Sequence, residues 1–144
     1  MSPRYWLPPA IWTCVILLAS GDFFSATHTG PWLQTLITTI LRHPVSPPQF
    51  EAIHFLIRKS AHLIEYAILG ALLFRAVRGD RGEWRAQWSA AAVLLAAVVA
   101  SADEWHQTLI PSRTGSVSDV VLDTAGATVA QILIRAAQVL FCKA

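Results

Sequence analysis

Residues able to do chemistry are gathered in three short stretches. Arg58, Lys59, His62, Glu65 and Tyr66 form the first; Asp103, Glu104 and Gln107, with Arg113 just beyond, form the second; Asp119 and Asp123 form the third. An imidazole beside a carboxylate can move protons, as a general base with its orienting group. Carboxylate oxygens can hold a hard divalent cation. Guanidinium and ammonium groups can hold a phosphate or carboxylate. On a helix, residues three or four apart share a face. Lys59, His62 and Tyr66 therefore make one stripe, Asp103 and Gln107 a second, Asp119 and Asp123 a third.

The chain that carries these groups is otherwise poor in charge. Its 144 residues are one domain's worth, 1–144. Apolar residues make up 54% and charged residues 14%, where a soluble domain carries ~25% charged residues. Mean hydropathy is +0.47. This composition excludes a disordered chain and a coiled coil. The net charge of only +2 also argues against a nucleic-acid partner. Two cysteines, Cys14 and Cys142, are too few for a disulfide framework or a cysteine-rich metal site. What fits is an all-α, multi-pass membrane protein whose main partner is the lipid bilayer.

A spanning helix needs ~20 mostly apolar residues, and four segments qualify as expectations: about 5–21, 51–77, 86–107 and 118–142. Pro8 and Pro9 are placed near the start of the first, where a helix tolerates proline. A cleaved signal peptide is the rival reading there, because Ala19-Ser20-Gly21 is a small-residue site. Trp6 and Trp12 suit an interfacial anchor better. Gly30-Pro31, His43-Pro44 and Pro47-Pro48 punctuate the next region. Between them Leu33, Leu36, Ile37, Ile40 and Leu41 recur at helical spacing. That predicts a short helix over 32–42, either lying on the membrane surface or packed on the bundle. Ser118 is placed as the N-cap of the last span. His28, His43, His54 and His106 read as interfacial polar residues, the six tryptophans as anchors or core, and Arg135 as a side chain that snorkels to the surface.

Four helices in series put alternate loops on one side. Arg75, Arg78, Arg81 and Arg85 flank the loop between the second and third spans, and Arg4 and Lys143 mark the termini. The positive-inside rule then makes both termini cytoplasmic in an inner (plasma) membrane. Under that topology all three chemical stretches meet in the outer half. Glu65 is ten residues before Arg75, hence ~15 Å deep at 1.5 Å per residue. An isolated charge there costs at least ~2.5–3.5 kcal/mol, so Glu65 is expected to face the bundle interior and find His62, Lys59 or Arg113. Buried ion pairs that only fix helix register are the structural alternative.

The motifs have a known likeness. Lys59-x-x-His62-x-x-x-Tyr66 resembles the first motif of the VanZ-like membrane protein family. Asp103-Glu104-x-x-Gln107-x-x-x-Pro111-x-Arg113, followed by Asp119, Asp123 and Gly126, resembles the second. The resemblance runs over roughly residues 58–130. Asp123 stands where the family usually has Asn, adding negative charge, and Ala130 where it often has Gly, which keeps a small residue for close packing. The family implies an integral membrane protein associated with glycopeptide (teicoplanin) resistance and implies no settled reaction.

The leading expectation is a pocket for an amphipathic cell-envelope molecule, such as a lipid-linked precursor or a glycopeptide. Arg58, Lys59 and Arg113 would take its anion; Asp103, Glu104 and Gln107 would accept from sugar or amine groups; His62, Glu65, Tyr66, Asp119 and Asp123 complete the pocket. An enzyme acting on lipid-linked phosphate or glycan is the alternative, with His62, Glu65 and Asp103 as candidate catalytic groups. Under it Asp103, Glu104 and Asp119 would be oxygen ligands to a divalent metal and Arg113 would stabilise developing charge. The leading reading calls for no cofactor or metal. H-E-x-x-H, G-x-S-x-G and Walker A sequences are absent. An assembly protein is the third reading, on the small residues of the third span. The topology predicts that a cysteine at Gly82 is labelled only from the cytoplasmic side and one at Gly115 only from outside. Labelling at Gly82 by a membrane-impermeant reagent added outside would reverse it.

Overall fold

The computed structural model describes residues 3–141 and, among them, contains helices and no strand. Cys142 and Lys143, used above for the end of the last span and for the terminal charge, lie outside the described residues. The elements run α1 (Pro3–Ala19), a single 3-10 turn (Asp22–Phe24), α2 (Ala26–Leu41), α3 (Pro47–Arg78), α4 (Ala86–Gln107) and α5 (Val117–Phe141).

Three helices, α3, α4 and α5, are long and apolar enough to cross a membrane. The fourth expected span is shorter. At 17 residues α1 is ~26 Å long, against a hydrocarbon core of ~30 Å. Pro8 and Pro9 also sit in its interior rather than at its start, because α1 begins at Pro3. Helix α3 begins four residues earlier than 51. Pro47 and Pro48 occupy its first turn, where their missing N–H groups would be unpaired anyway. The Ser46 N–H and Oγ both donate to the Gln49 side chain, at 3.1 and 2.9 Å. The breaker pair thus starts the helix. Helix α2 likewise runs through Gly30-Pro31, and Arg42, at φ 58°, closes it in the left-handed conformation. The N-cap of α5 is Ser116, not Ser118: its Oγ accepts from the Ser118 N–H at 3.2 Å.

Helices α3 and α5 form the central seam. Lys59 meets Asp119, His62 meets Asp123, and Gln131 donates to the Gly70 carbonyl at 2.9 Å. The numbers rise together, so the two helices run parallel. Small residues let their backbones approach. A Cβ on Gly70 would lie 2.8 Å from the Ala127 Cα, and one on Gly126 would collide with the Leu63 carbonyl. Helix α4 packs antiparallel to both through Ala92, Ala96 and Ala100, which are fully buried at four-residue spacing. Tyr66, Leu69, Leu73, Phe74 and Trp88 fill the rest of this core.

Helix α1 lies along α3 in the opposite sense. Arg4 pairs with Asp80 in the α3–α4 loop at 2.8 Å, Trp12 donates to the Glu65 carbonyl at 2.9 Å, and Ser20 reaches Asp103 at 2.9 Å. The segment weighed above as a signal peptide is thus built into the bundle. The Tyr5 hydroxyl also bonds Asp80, and with Arg4 it holds that exposed carboxyl below the usual range. At the opposite end Ile37, Val45 and Phe50 pin α2 to the start of α3. Leu36 and Ile40 of α2 face outward. Leu94, Val98, Val121, Ile132 and Leu133 are exposed on α4 and α5, so the bundle is apolar outside, and carboxylates such as Asp103, Asp119 and Asp123 are buried within it. Arg135 at the arginine-rich end lies 4.6 Å over the Trp84 ring.

Two substitutions follow. Gly126→Ala should destabilise the protein by about 1–3 kcal/mol, because the clash is with backbone. Gly82→Ala, with open space around it, should stay within about 0.5 kcal/mol of the parent. Unfolding of the purified protein in detergent measures both. Gly115 cannot host a reporter cysteine, since a Cβ there would run into the Glu104 carbonyl and Thr108; exposed Thr114 is the position in the α4–α5 loop to label.

Candidate functional site

The three chemical stretches meet at the end of the bundle opposite the α3–α4 loop. Helix α3 supplies Arg58, Lys59, His62, Glu65 and Tyr66, α4 supplies Asp103, Glu104 and Gln107, and α5 supplies Asp119 and Asp123. The α4–α5 loop brings Arg113. Asp103, Asp123 and Tyr66 are fully buried, and Glu104, Gln107 and Asp119 are nearly so.

Pairing follows the seam. Lys59 Nζ donates to Asp119, and its ammonium lies 5.2 Å over the Phe55 ring. One turn on, His62 Nδ1 and Asp123 Oδ1 are 3.3 Å apart, close enough for an ion pair but not aligned as a hydrogen bond. Asp103 accepts from the Ser20 hydroxyl at 2.9 Å and from the Gln107 amide at 3.3 Å. Glu104 accepts from the same amide at 3.2 Å and from the Ser116 N–H at 2.7 Å. Arg113 donates to the carbonyls of Ala19 and Gly21, at 3.0 and 3.1 Å, at the end of α1, where carbonyls run out of intrahelical partners. Burial, and then the nearby Arg58 guanidinium, pull Arg113 below the usual arginine range.

These choices correct the expectation for Glu65. Lys59, His62 and Arg113 each have another partner, and among the described residues no cation stands within ion-pair distance of the Glu65 carboxylate. It lines a cavity instead. This cavity, of about 580 Å³, lies between α2, α3 and the end of α1. Its walls include Phe23, Trp32, Leu33 and Ile57, and its polar lining includes Arg58, His62, Glu65 and Arg113. The oxygen-only metal set is also corrected. Asp119 is committed to Lys59, and the ligand atoms that come within 4.8 Å of one another belong to His62, Glu104 and Asp123.

Several contributors had no signal in the motif spacing. Ser20 looked like the end of an apolar run, and the Ala19 and Gly21 carbonyls are invisible to side-chain reading. His28 and His54, taken for interfacial residues, line the cavity; His54 is buried and stacked on Phe50 at 5.5 Å.

The family model described as VanZ/LLP1 matches residues 5–140. The chain belongs to the VanZ/LLP1 family. No curated protein and no solved structure matches it. The match takes in α1 and α2 as well as the seam, so the cavity-forming segments are part of the VanZ/LLP1 region along with the two motifs.

The Lys59–Asp119 pair makes a measurable claim. Lys59→Met alone leaves the Asp119 carboxylate with only a 3.4 Å contact from Ser118 and should destabilise the protein by about 3–5 kcal/mol. Lys59→Met with Asp119→Leu should recover most of that loss. Unfolding free energies of the two single variants and the double variant, in detergent, give the coupling; additive losses would mean that the pair is not coupled.

Proposed function

We propose that this chain is a four-span plasma-membrane protein that binds the anionic headgroup of an amphipathic cell-envelope molecule in its outer half. The observation that carries this reading is the cavity: apolar walls with Arg58 and Arg113 at one site. Both arginines keep a buried Nε without a hydrogen-bond partner. Guanidinium groups so placed take phosphate or carboxylate in two-pronged fashion, while the apolar walls take a lipid tail. The fourth span is α1. One end is tied to the α3–α4 loop through Arg4–Asp80 and the other to the last turns of α4 through Ser20–Asp103, so α1 runs alongside α4 for most of its length. Cytoplasmic termini follow from the arginine-rich end. The association of the VanZ name with teicoplanin resistance makes a lipid-linked precursor or the glycopeptide itself the ligand class to try first.

A second reading is favoured by one detail. His62 both lines the cavity and faces Asp123, the arrangement of a base and its orienting carboxylate. Hydrolysis of a lipid-linked phosphate would use those two with the arginines. The assembly reading keeps part of its support: Ala92, Ala96 and Ala100 are consumed inside the bundle, while Ala86 and Ala90 of the same helix stay exposed.

Purified protein in nanodiscs should bind a lipid phosphate at least tenfold more tightly than the matching neutral lipid alcohol. Arg58→Gln should remove most of that preference, since a hydrogen bond to a charged group contributes ~1.5–3 kcal/mol. Equal binding of the two lipids would overturn the proposal. Release of inorganic phosphate would move the second reading ahead. In cells, Asp103→Asn and Arg113→Lys should abolish the envelope or glycopeptide phenotype at normal membrane abundance. Abundance falling in step with phenotype would indicate a scaffolding role.

A further inference from the structure

Behind the cavity lies a set of buried groups that the headgroup reading does not use. We propose that His62, Glu104 and Asp123 bind one divalent transition-metal ion of the Zn2+ or Mn2+ type. The three come from α3, α4 and α5, and their ligand atoms lie within 4.8 Å of one another. Two ligands on one ion at bond lengths of ~2.1 Å stand ~3.4 Å apart at a tetrahedral angle. His62 Nδ1 and Asp123 Oδ1, 3.3 Å apart, already have that spacing. The Glu104 ligand atom, within 4.8 Å of the other two, has to close by up to ~1.4 Å to reach the same tetrahedral spacing.

A second observation points to a missing partner. Asp123 is fully buried, and neither of its carboxylate oxygens has a hydrogen-bond partner. The Tyr66 hydroxyl and Asp103 Oδ1 are in the same condition. Leaving such a group unpaired costs ~1–3 kcal/mol, more when it is charged. Buried orphans in native proteins call for a water or an ion. Charge favours the ion. Arg58, Lys59 and Arg113 offset three of the five carboxylates of the site. With His62 neutral, as a metal ligand is, two negative charges are left, which one divalent cation cancels.

Donor chemistry selects the ion class. One imidazole nitrogen with two carboxylates suits Zn2+ or Mn2+, whereas Ca2+ and Mg2+ take oxygen ligands alone. The surroundings are those of a ligand shell too. Glu104 is fixed by the Ser116 N–H and the Gln107 amide, the kind of outer bonds that orient metal-bound carboxylates. The proposal does not depend on the lipid reading, because all three ligands belong to the chain itself.

The test uses tag-free, full-length protein in detergent without added lipid, stripped by a chelator and reloaded with Zn2+, Mn2+ or Co2+. The expected result is one ion per chain by elemental analysis, and visible d–d bands for Co2+. Asp123→Asn and His62→Gln should each weaken Zn2+ binding by at least about 100-fold, a ligand counting for more than the outer-shell groups that are worth ~10–100-fold. His43→Gln combined with His106→Gln, which removes two exposed imidazoles, should leave one ion bound. A parent protein that takes up none of the three ions overturns the site, as does undiminished binding in folded Asp123→Asn. Loss of the ion in the His43/His106 variant would assign the binding to the surface and overturn it equally. If the ligand variants do not fold, the Co2+ spectrum of the parent decides: its absence ends the proposal.

Discussion

A carboxylate carried into the interior of a bundle that is apolar outside has to be neutralised by its neighbours. Asp119 and Asp123 impose that demand one helical turn apart; α3 sets the Lys59 ammonium against the first and the His62 ring 3.3 Å from the second. The parallel run of α3 and α5 brings both contacts into register at once. The glycine at position 126 lets α5 come close enough to α3 for the short reach of an aspartate to suffice. Much of the rest is arranged around that seam. Helix α4 closes it from one side with alanines, and α1 closes it from another with Ser20 and Trp12. The pairs do not have to be strong net stabilisers to have this effect, because breaking one strands the other charge.

The two ends of the bundle are built on different chemistry. At the arginine-rich end the interactions are exposed and cheap to lose: Arg4 with Asp80, Arg85 with Glu83, Arg135 over Trp84. Surface pairs of this kind contribute ~0–1 kcal/mol each. At the other end the partners are buried and mostly shared, with the Gln107 amide serving two carboxylates and Arg113 serving two carbonyls. Removing one member there disturbs several others. That contrast is what a site needs, since groups held from several sides keep their positions when a ligand arrives.

Much of this was legible in the residues. Hydrophobic runs located α3, α4 and α5 to within a few positions, and three-and-four spacing put Lys59 with His62 and Asp119 with Asp123 on single faces. What spacing cannot supply is the rotation of one helix against another. Hence Glu65 looked like a member of the buried network, when it lies at the cavity edge of α3. Proline misled for a related reason: Pro47 and Pro48 start α3, and Pro8 and Pro9 sit inside α1, because tertiary packing decides how much helix precedes a proline. The caps and carbonyls escaped notice altogether. Ser116 differs from Ser118 only in where the backbone turns, and the acceptors for Arg113 are main-chain atoms that any residue would offer. Asp119 was grouped with Asp103 and Glu104 as oxygen donors, which ignored that an ammonium one helix away takes it first.

His62 joins the two halves of the site. It borders the cavity with Arg58 and Glu65, and its other neighbour is the fully buried Asp123. Anything that enters between the arginines therefore meets an imidazole whose far side is set by a carboxylate from the central seam. A charge placed in the cavity must be felt at Asp123 and, through the shared electrostatic field of a low-dielectric interior, at Asp103 and Glu104 as well. The cationic rim and the anionic interior are thus not separate features. Under the proposed function the rim would attract a headgroup, and the carboxylates behind it, held by α4 and α5, would limit how deep that headgroup goes and which charge it carries.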